Sequence, residues 1–179
     1  MRIVVGITGA SGACLGVRLV KVLADHEVSV IVSEAAWRII DLEMGQRPDF
    51  GDAPLFEGGD FGAPMASGSC LFDAMVVAPC SMKTLAGIAR GYAETLVIRA
   101  ADNALRLGRR LVLVPRETPL SLASLENMAE LRRAGAIILP PVLAFYHQPK
   151  GLEDMIDYVV GKILDALGIQ NDLYSRWAQ

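Results

Sequence analysis

The chain has 179 residues, of which 53% are hydrophobic and 21% charged, and its 17 Lys and Arg against 20 Asp and Glu leave a net charge of −3. So much apolar surface at so little net charge excludes disorder, collagen-like repeats and low-complexity sequence, and the length fits one domain. The weakly acidic balance argues against a nucleic-acid binder that works through a strong phosphate-seeking field, and favours small-molecule chemistry. No run of about 18 apolar residues occurs, so no membrane-spanning helix is expected, and the amino terminus reads as a strand instead of a secretory leader. A cytoplasmic location is expected.

Arg2–Thr8 is an apolar run that ends in Gly9-Ala10-Ser11-Gly12, and Ala13–Ala24 has apolar residues at helical spacing. Glu27–Ser33 is a second β-branched run, followed by a helical stretch over Glu34–Met44, so the first third is a βαβα unit with parallel strands. Between Gly45 and Ser69 the pattern dissolves into Gly, Pro, Asp and Phe; a loop this long is expected to cover a site or a neighbouring subunit.

Asp73–Pro79 reads as a buried strand, with Ser81 placed to cap a helix starting at Met82. Leu96–Leu107 is helical, Arg110–Pro115 a strand, Leu120–Arg133 a helix closed by Gly135, and Ala136–Leu139 a last strand before Pro140-Pro141. Leu152–Leu167 is an amphipathic helix stopped by Gly168. Five strands alternating with helices predict a doubly wound, Rossmann-like three-layer α/β domain with no internal repeat or linker.

Cys14, Cys70 and Cys80 are odd in number and lack CxxC spacing, so neither a disulfide framework nor a zinc site is indicated. His26 and His147 are too few and too far apart for a metal site, and the absence of GxSxG argues against serine hydrolysis. A mean hydropathy of +0.38 without a membrane segment points to apolar surface hidden between subunits.

In parallel sheets ligands bind beyond the carboxyl ends of the strands. The turn Gly9–Gly12 lies at such an end, and it has two readings: Ser11 caps the helix, or the free N–H groups and hydroxyl hold a phosphate. Ser81, Met82, Lys83 and Thr84 form a second hydroxyl-rich helix start at the end of the central strand. Two such turns side by side suit a mononucleotide, and without GxGxxG or a P-loop, flavin mononucleotide fits better than a dinucleotide or ATP. Arg116-Glu117, stiffened by Pro115 and Pro119, is either a surface ion pair or functional, and its place at a strand end favours function. From pattern alone Glu43 is a solvated carboxylate, and Phe145, Tyr146 and Trp177 are core or interface aromatics.

The segments GITGASGACLGVRL, Ser67–Ser69, VVAPCSMKTLAGIARGYAETLVIRAADNALR, RRLVLVPRETPL, GAIILPPVLAFYHQP and the closing Arg176-Trp177 resemble the UbiX-like flavin prenyltransferases, in the same order from Met1 to Trp177. The resemblance implies transfer of a dimethylallyl group, from dimethylallyl phosphate or pyrophosphate, to N5 and C6 of reduced FMN without a metal ion. The prenylated FMN would serve a UbiD-type decarboxylase in ubiquinone synthesis or aromatic-acid decarboxylation. By the same resemblance Gly9, Ala10, Ser11, Ser33, Ser81, Met82, Lys83, Thr84 and Arg116 bind FMN, while Ser11, Glu43 and Glu117 move protons. Tyr146 and Lys162 would bind the donor phosphate with Arg99 and Arg106 of a neighbouring subunit, and Trp177 would lie in a tail, residues 168–179, that closes near it. Arg106 stands where many members carry Lys, and Lys162 where Arg is common, which retains charge but changes hydrogen-bond geometry. Family members assemble as dodecamers. Two other readings are a decarboxylase like the cysteine-decarboxylating flavoproteins, whose active-site His has no counterpart here, and a non-catalytic flavin-binding partner.

Overall fold

The structure, a computed structural model, describes residues 1–178. Arg2–Ile7 (β1), Ala13–Val22 (α1), Glu27–Val32 (β2) and Glu34–Met44 (α2) form the first half, completed by Leu55–Glu57 (β3). A single 3-10 turn at Pro64–Ala66 precedes Ala74–Cys80 (β4), Met82–Ala89 (α3), Leu96–Arg106 (α4) and Arg110–Pro115 (β5). Leu122–Arg133 (α5), Ile137–Ile138 (β6) and Leu152–Leu167 (α6) close the chain.

All six strands are parallel, in the order β3-β2-β1-β4-β5-β6. Each central strand is buried on both faces, which is why it reads as an unbroken apolar run. Alternation still sorts its side chains: Ile3, Val5 and Ile7 pack with α1, α2 and α6 on one face, while Val4 and the β4 residues Met75 and Val77 pack with α3 and α4 on the other. The result is the expected doubly wound, three-layer α/β domain.

Beyond shifts of one or two residues at the ends of β1, α1, β2, β4 and α4, three features differ from the sequence reading. The 45–69 segment is not wholly irregular: Leu55–Glu57 pairs with β2 in register Val30↔Leu55, adding a sixth strand. A three-residue edge strand between Gly and Pro residues is too short for period-two alternation to reveal. Helix α5 starts at Leu122, because the Ser121 hydroxyl accepts from the Ser124 N–H at 3.1 Å and fixes the helix start there. The last strand shrinks to Ile137–Ile138 at the sheet edge.

Candidate active site

Strand order reverses between β1 and β4, so the loops after them splay apart and open a cleft of about 1000 Å³ at the carboxyl end of the sheet. Three hydrogen-bond links hold its walls. Thr8, buried at the end of β1, donates from its hydroxyl to the Pro79 carbonyl at 2.8 Å and accepts from the Ser81 N–H at 2.8 Å. The Ser33 N–H donates to the Ile7 carbonyl at 3.1 Å, and the Arg116 N–H to the Cys80 carbonyl at 3.2 Å. The ends of β2, β1, β4 and β5 are thereby set side by side.

The Ser81 cap forms as read from the sequence, and Ser33 makes a second one that the sequence reading did not name. Ser33 accepts from the Ala36 N–H at 3.1 Å, and Ser81 accepts from the Thr84 N–H at 3.3 Å while its hydroxyl reaches Thr84 Oγ1 at 3.0 Å. The capping reading of Ser11 does not hold: the N-cap of α1 is Gly12, in the left-handed conformation and without a side-chain bond. Glu43 takes the role instead, its carboxylate accepting from the Gly12 N–H at 3.0 Å and the Ala13 N–H at 3.2 Å.

Of the residues singled out in the sequence, Gly9, Ala10 and Ser11 line the cleft on one side and Ser33 beside them; Ser81, Met82, Lys83 and Thr84 line the other, with Arg116 and Glu117 at its end. The Arg116 guanidinium lies 4.0 Å from the Glu117 carboxylate, while Lys83 is paired with Glu94 at 3.2 Å. Gly58 and Gly59 after β3, and Thr8, also line the cleft and escaped the sequence reading. The one signal for Thr8 was a hydroxyl closing an otherwise apolar strand. Hydroxyls from Ser11, Ser33, Ser81 and Thr84, two helix starts, a weakly paired guanidinium and apolar Met82, Val97 and Ile98 make a donor set that fits a flat-ringed phosphate ester such as FMN.

The remaining six residues lie outside that lining. Glu43 is at the α1 start; Arg99 and Arg106 flank Asp102 on α4, each 3.3 Å from its carboxylate. Tyr146, Lys162 and Trp177 fall in one cluster at α6: the Tyr146 and Trp177 rings meet edge to face at 5.3 Å, and Lys162 Nζ lies 3.4 Å from the Tyr174 hydroxyl. Burial pulls the Lys162 pKa down, but the Tyr174 hydroxyl and the Asp165 charge outweigh it, so the ammonium is held above its ordinary value. Burial works to raise the Asp165 pKa, yet hydrogen bonds from Arg176, Tyr174 and Asn171 hold it at about 2.

A family model described as Flavoprotein matches residues 1–168. Sheet, switch-point cleft and this match define the class, an α/β flavoprotein. The flavin prenyltransferase UbiX of Methanocaldococcus jannaschii is 47% identical to this chain, with 99% of this chain and 98% of that protein aligned. The crystal structure of AnUbiX (PadA1) in complex with FMN and dimethylallyl pyrophosphate superposes with a TM-score of 0.95 at 43% identity, covering 99% of this chain and 97% of that one. A dodecameric FMN-dependent Ubix-like decarboxylase from Escherichia coli O157:H7 gives a TM-score of 0.93 at 43% identity over 100% of both chains. The chain belongs to the UbiX-like flavin prenyltransferase family. The cysteine decarboxylase TvaF, at 19% identity and a TM-score of 0.64 over 77% of this chain and 88% of that one, shares the fold alone. Among the described residues no helix is long and apolar enough to cross a membrane.

Proposed function

We propose that this chain transfers a dimethylallyl group from dimethylallyl phosphate or pyrophosphate to N5 and C6 of reduced FMN, and hands prenylated FMN to a UbiD-type decarboxylase in the cytoplasm. One observation carries the reading: the switch-point cleft, with its two hydroxyl-capped helix starts and Arg116, occurs in a chain 47% identical over nearly its whole length to a flavin prenyltransferase. Bound reduced flavin supplies the nucleophilic atoms. The chain's part is to hold it, to stabilise the departing phosphate and to exclude water from the allylic carbon skeleton.

In this reading Gly9, Ala10, Ser11, Ser33, Ser81, Met82, Lys83, Thr84 and Arg116 hold FMN. Ser11 and Glu43 serve the proton at N5, and Glu117 moves a proton to the leaving phosphate. Tyr146 and Lys162 bind that phosphate; the raised Lys162 pKa keeps the ammonium charged at neutral pH. Arg99 and Arg106 come from a neighbouring copy in a dodecamer like the Escherichia coli one, consistent with their absence from the cleft lining of their own chain. Trp177 covers the donor.

Anaerobic incubation with reduced FMN and each donor, followed by mass spectrometry of the released flavin, tests this. A gain of one five-carbon unit is expected with at least one donor. Unmodified flavin with both overturns the transferase reading.

A further inference from the structure

Helix α6 and the segment after it are joined at one carboxylate. Asp165 sits one turn beyond Lys162 on α6. Its Oδ2 accepts from the Tyr174 hydroxyl at 2.6 Å and from Arg176 Nη1 at 3.2 Å; its Oδ1 accepts from Arg176 Nη2 at 2.7 Å and Asn171 Nδ2 at 2.9 Å. All three donors lie downstream in the tail, and the Arg176 contact is the two-pronged geometry in which a guanidinium matches a carboxylate best. Gly161, one turn back, makes this possible: a Cβ there would stand 2.5 Å from Tyr174 Cδ1, so only a bare backbone lets the ring lie on the helix.

From Tyr174 the contacts run in rings. Tyr174 meets Tyr158 at 5.0 Å, Tyr158 meets Tyr146 at 6.0 Å, and Tyr146 meets Trp177 at 5.3 Å, all edge to face. The Asp165 carboxylate also bears on Lys162, whose Nζ lies 3.7 Å from Oδ2. With Arg176 bound to both oxygens, two cations face one carboxylate and the group keeps one net positive charge.

We infer that Asp165 is the positioning residue for the donor end of the active site: it docks residues 169–177 on α6 so that Trp177 lies against Tyr146, and by binding Arg176 it leaves the Lys162 charge available to an anion. The inference rests on the proposed function for the identity of that anion, a prenyl phosphate. Asp165 touches neither flavin nor donor in this scheme, so its loss acts on donor affinity and spares the flavin.

The test uses the full-length protein. Asp165→Asn is expected to raise the KM for the prenyl donor at least tenfold, with the FMN Kd within twofold of wild type and kcat at saturating donor within threefold. Amide hydrogen exchange across residues 169–177 should quicken at least tenfold, and Asp165→Glu should recover part of the donor affinity. Tyr174→Phe, which keeps the ring and removes one hydroxyl, is expected to shift donor KM and tail exchange in the same direction by a smaller factor, and stands in if Asp165→Asn does not fold. Unchanged donor KM in both variants, or equal losses for FMN and donor, overturns the inference. A wild-type protein that never prenylates FMN defeats the functional reading instead; tail exchange in the variants, unchanged from wild type, would then defeat the inference separately.

Discussion

The Glu43 carboxylate, on the last turn of α2, binds the Gly12 N–H at 3.0 Å and the adjacent Ala13 N–H at 3.2 Å at the start of α1. A carboxylate there meets the positive end of the helix dipole and fills two donor positions that an incoming phosphate would otherwise compete for. In the proposed function this leaves the Ser33 and Ser81 helix starts and Arg116 to hold the flavin phosphate. It also ties the backbone beside Ser11 to α2.

Glu43→Gln keeps an oxygen for one N–H but removes the charge. It should slow prenyl transfer while FMN is still bound, and cost about 1 kcal/mol of stability, the size of a helix cap. Single-turnover kinetics beside equilibrium unfolding checks this. Turnover at the wild-type rate would leave Glu43 a cap alone.

Arg116 is the cation at the cleft end with the loosest carboxylate neighbour, Glu117 at 4.0 Å. A charge-assisted hydrogen bond to phosphate is worth about 1.5–3 kcal/mol, which corresponds to roughly a 10- to 100-fold change in Kd. Arg116→Ala should weaken FMN binding by that factor, with Arg116→Lys between the two, as read by flavin fluorescence titration.

Why some of this was legible in the sequence and some was not has a physical basis. Strands such as Ile3–Ile7 and Leu111–Val114 are buried on both faces, so composition alone betrays them. Ser81 acts on an N–H three residues away, within reach of a local pattern, and Ser33 does the same at a helix start for which no cap was named. Contacts made across the fold leave no such trace: Glu43 to Gly12 spans 31 residues and Thr8 to Ser81 spans 73. Glu43 is exposed as its pattern suggests, but its bonds to the α1 start and those of Thr8 go unread because each partner is distant in sequence, and the cap considered for Ser11 falls to Gly12 and the Glu43 carboxylate. The family resemblance named Glu43 where pattern did not.

Gly16 faces the sheet across α1, and a Cβ there would run into the Ala78 carbonyl oxygen and stand 2.8 Å from Ile7 Cγ1. The obstacle is backbone, so α1 must lift. Gly16→Ala should destabilise by about 1–3 kcal/mol despite the better helix propensity of Ala. For a domain of this size each kcal/mol is worth roughly 2–4 °C in Tm, which differential scanning calorimetry resolves.

Asp165 titrates at about 2 when folded against 3.8 ordinarily, so the folded state prefers its charged form. A depressed carboxyl pKa contributes stability that is complete above the unfolded value and lost as pH falls toward the folded one. The window therefore runs from about pH 4 down to about 2. Across it wild-type Tm should fall more steeply than that of Asp165→Asn, and the two curves should run parallel above pH 5, a margin of roughly one unit over the unfolded pKa. Equal slopes throughout would mean that the tail contacts of Asp165 do not persist in solution.

Arg99 and Arg106 bracket Asp102 on α4; Arg99 also donates to the Ala66 carbonyl at 3.0 Å, beside the 3-10 turn, Arg106 donates to Asn103 Oδ1 at 2.5 Å, and neither lines the cleft of its own chain. Tyr146 and Lys162 belong to the cluster on α6. If the donor site is assembled between copies, Arg99→Ala and Lys162→Ala break opposite halves of it. Each variant alone should lose most prenyl transfer at limiting donor, while co-refolded or co-expressed mixtures should regain a fraction set by the number of interfaces that pair two intact halves. Mixed oligomers no more active than either parent would place all four residues in one subunit's site, or Arg99 outside it. Because the two arginines already share Asp102, Asp102→Asn should behave as a milder Arg99 variant in the same mixing experiment: it loosens both guanidinium groups without removing their charge.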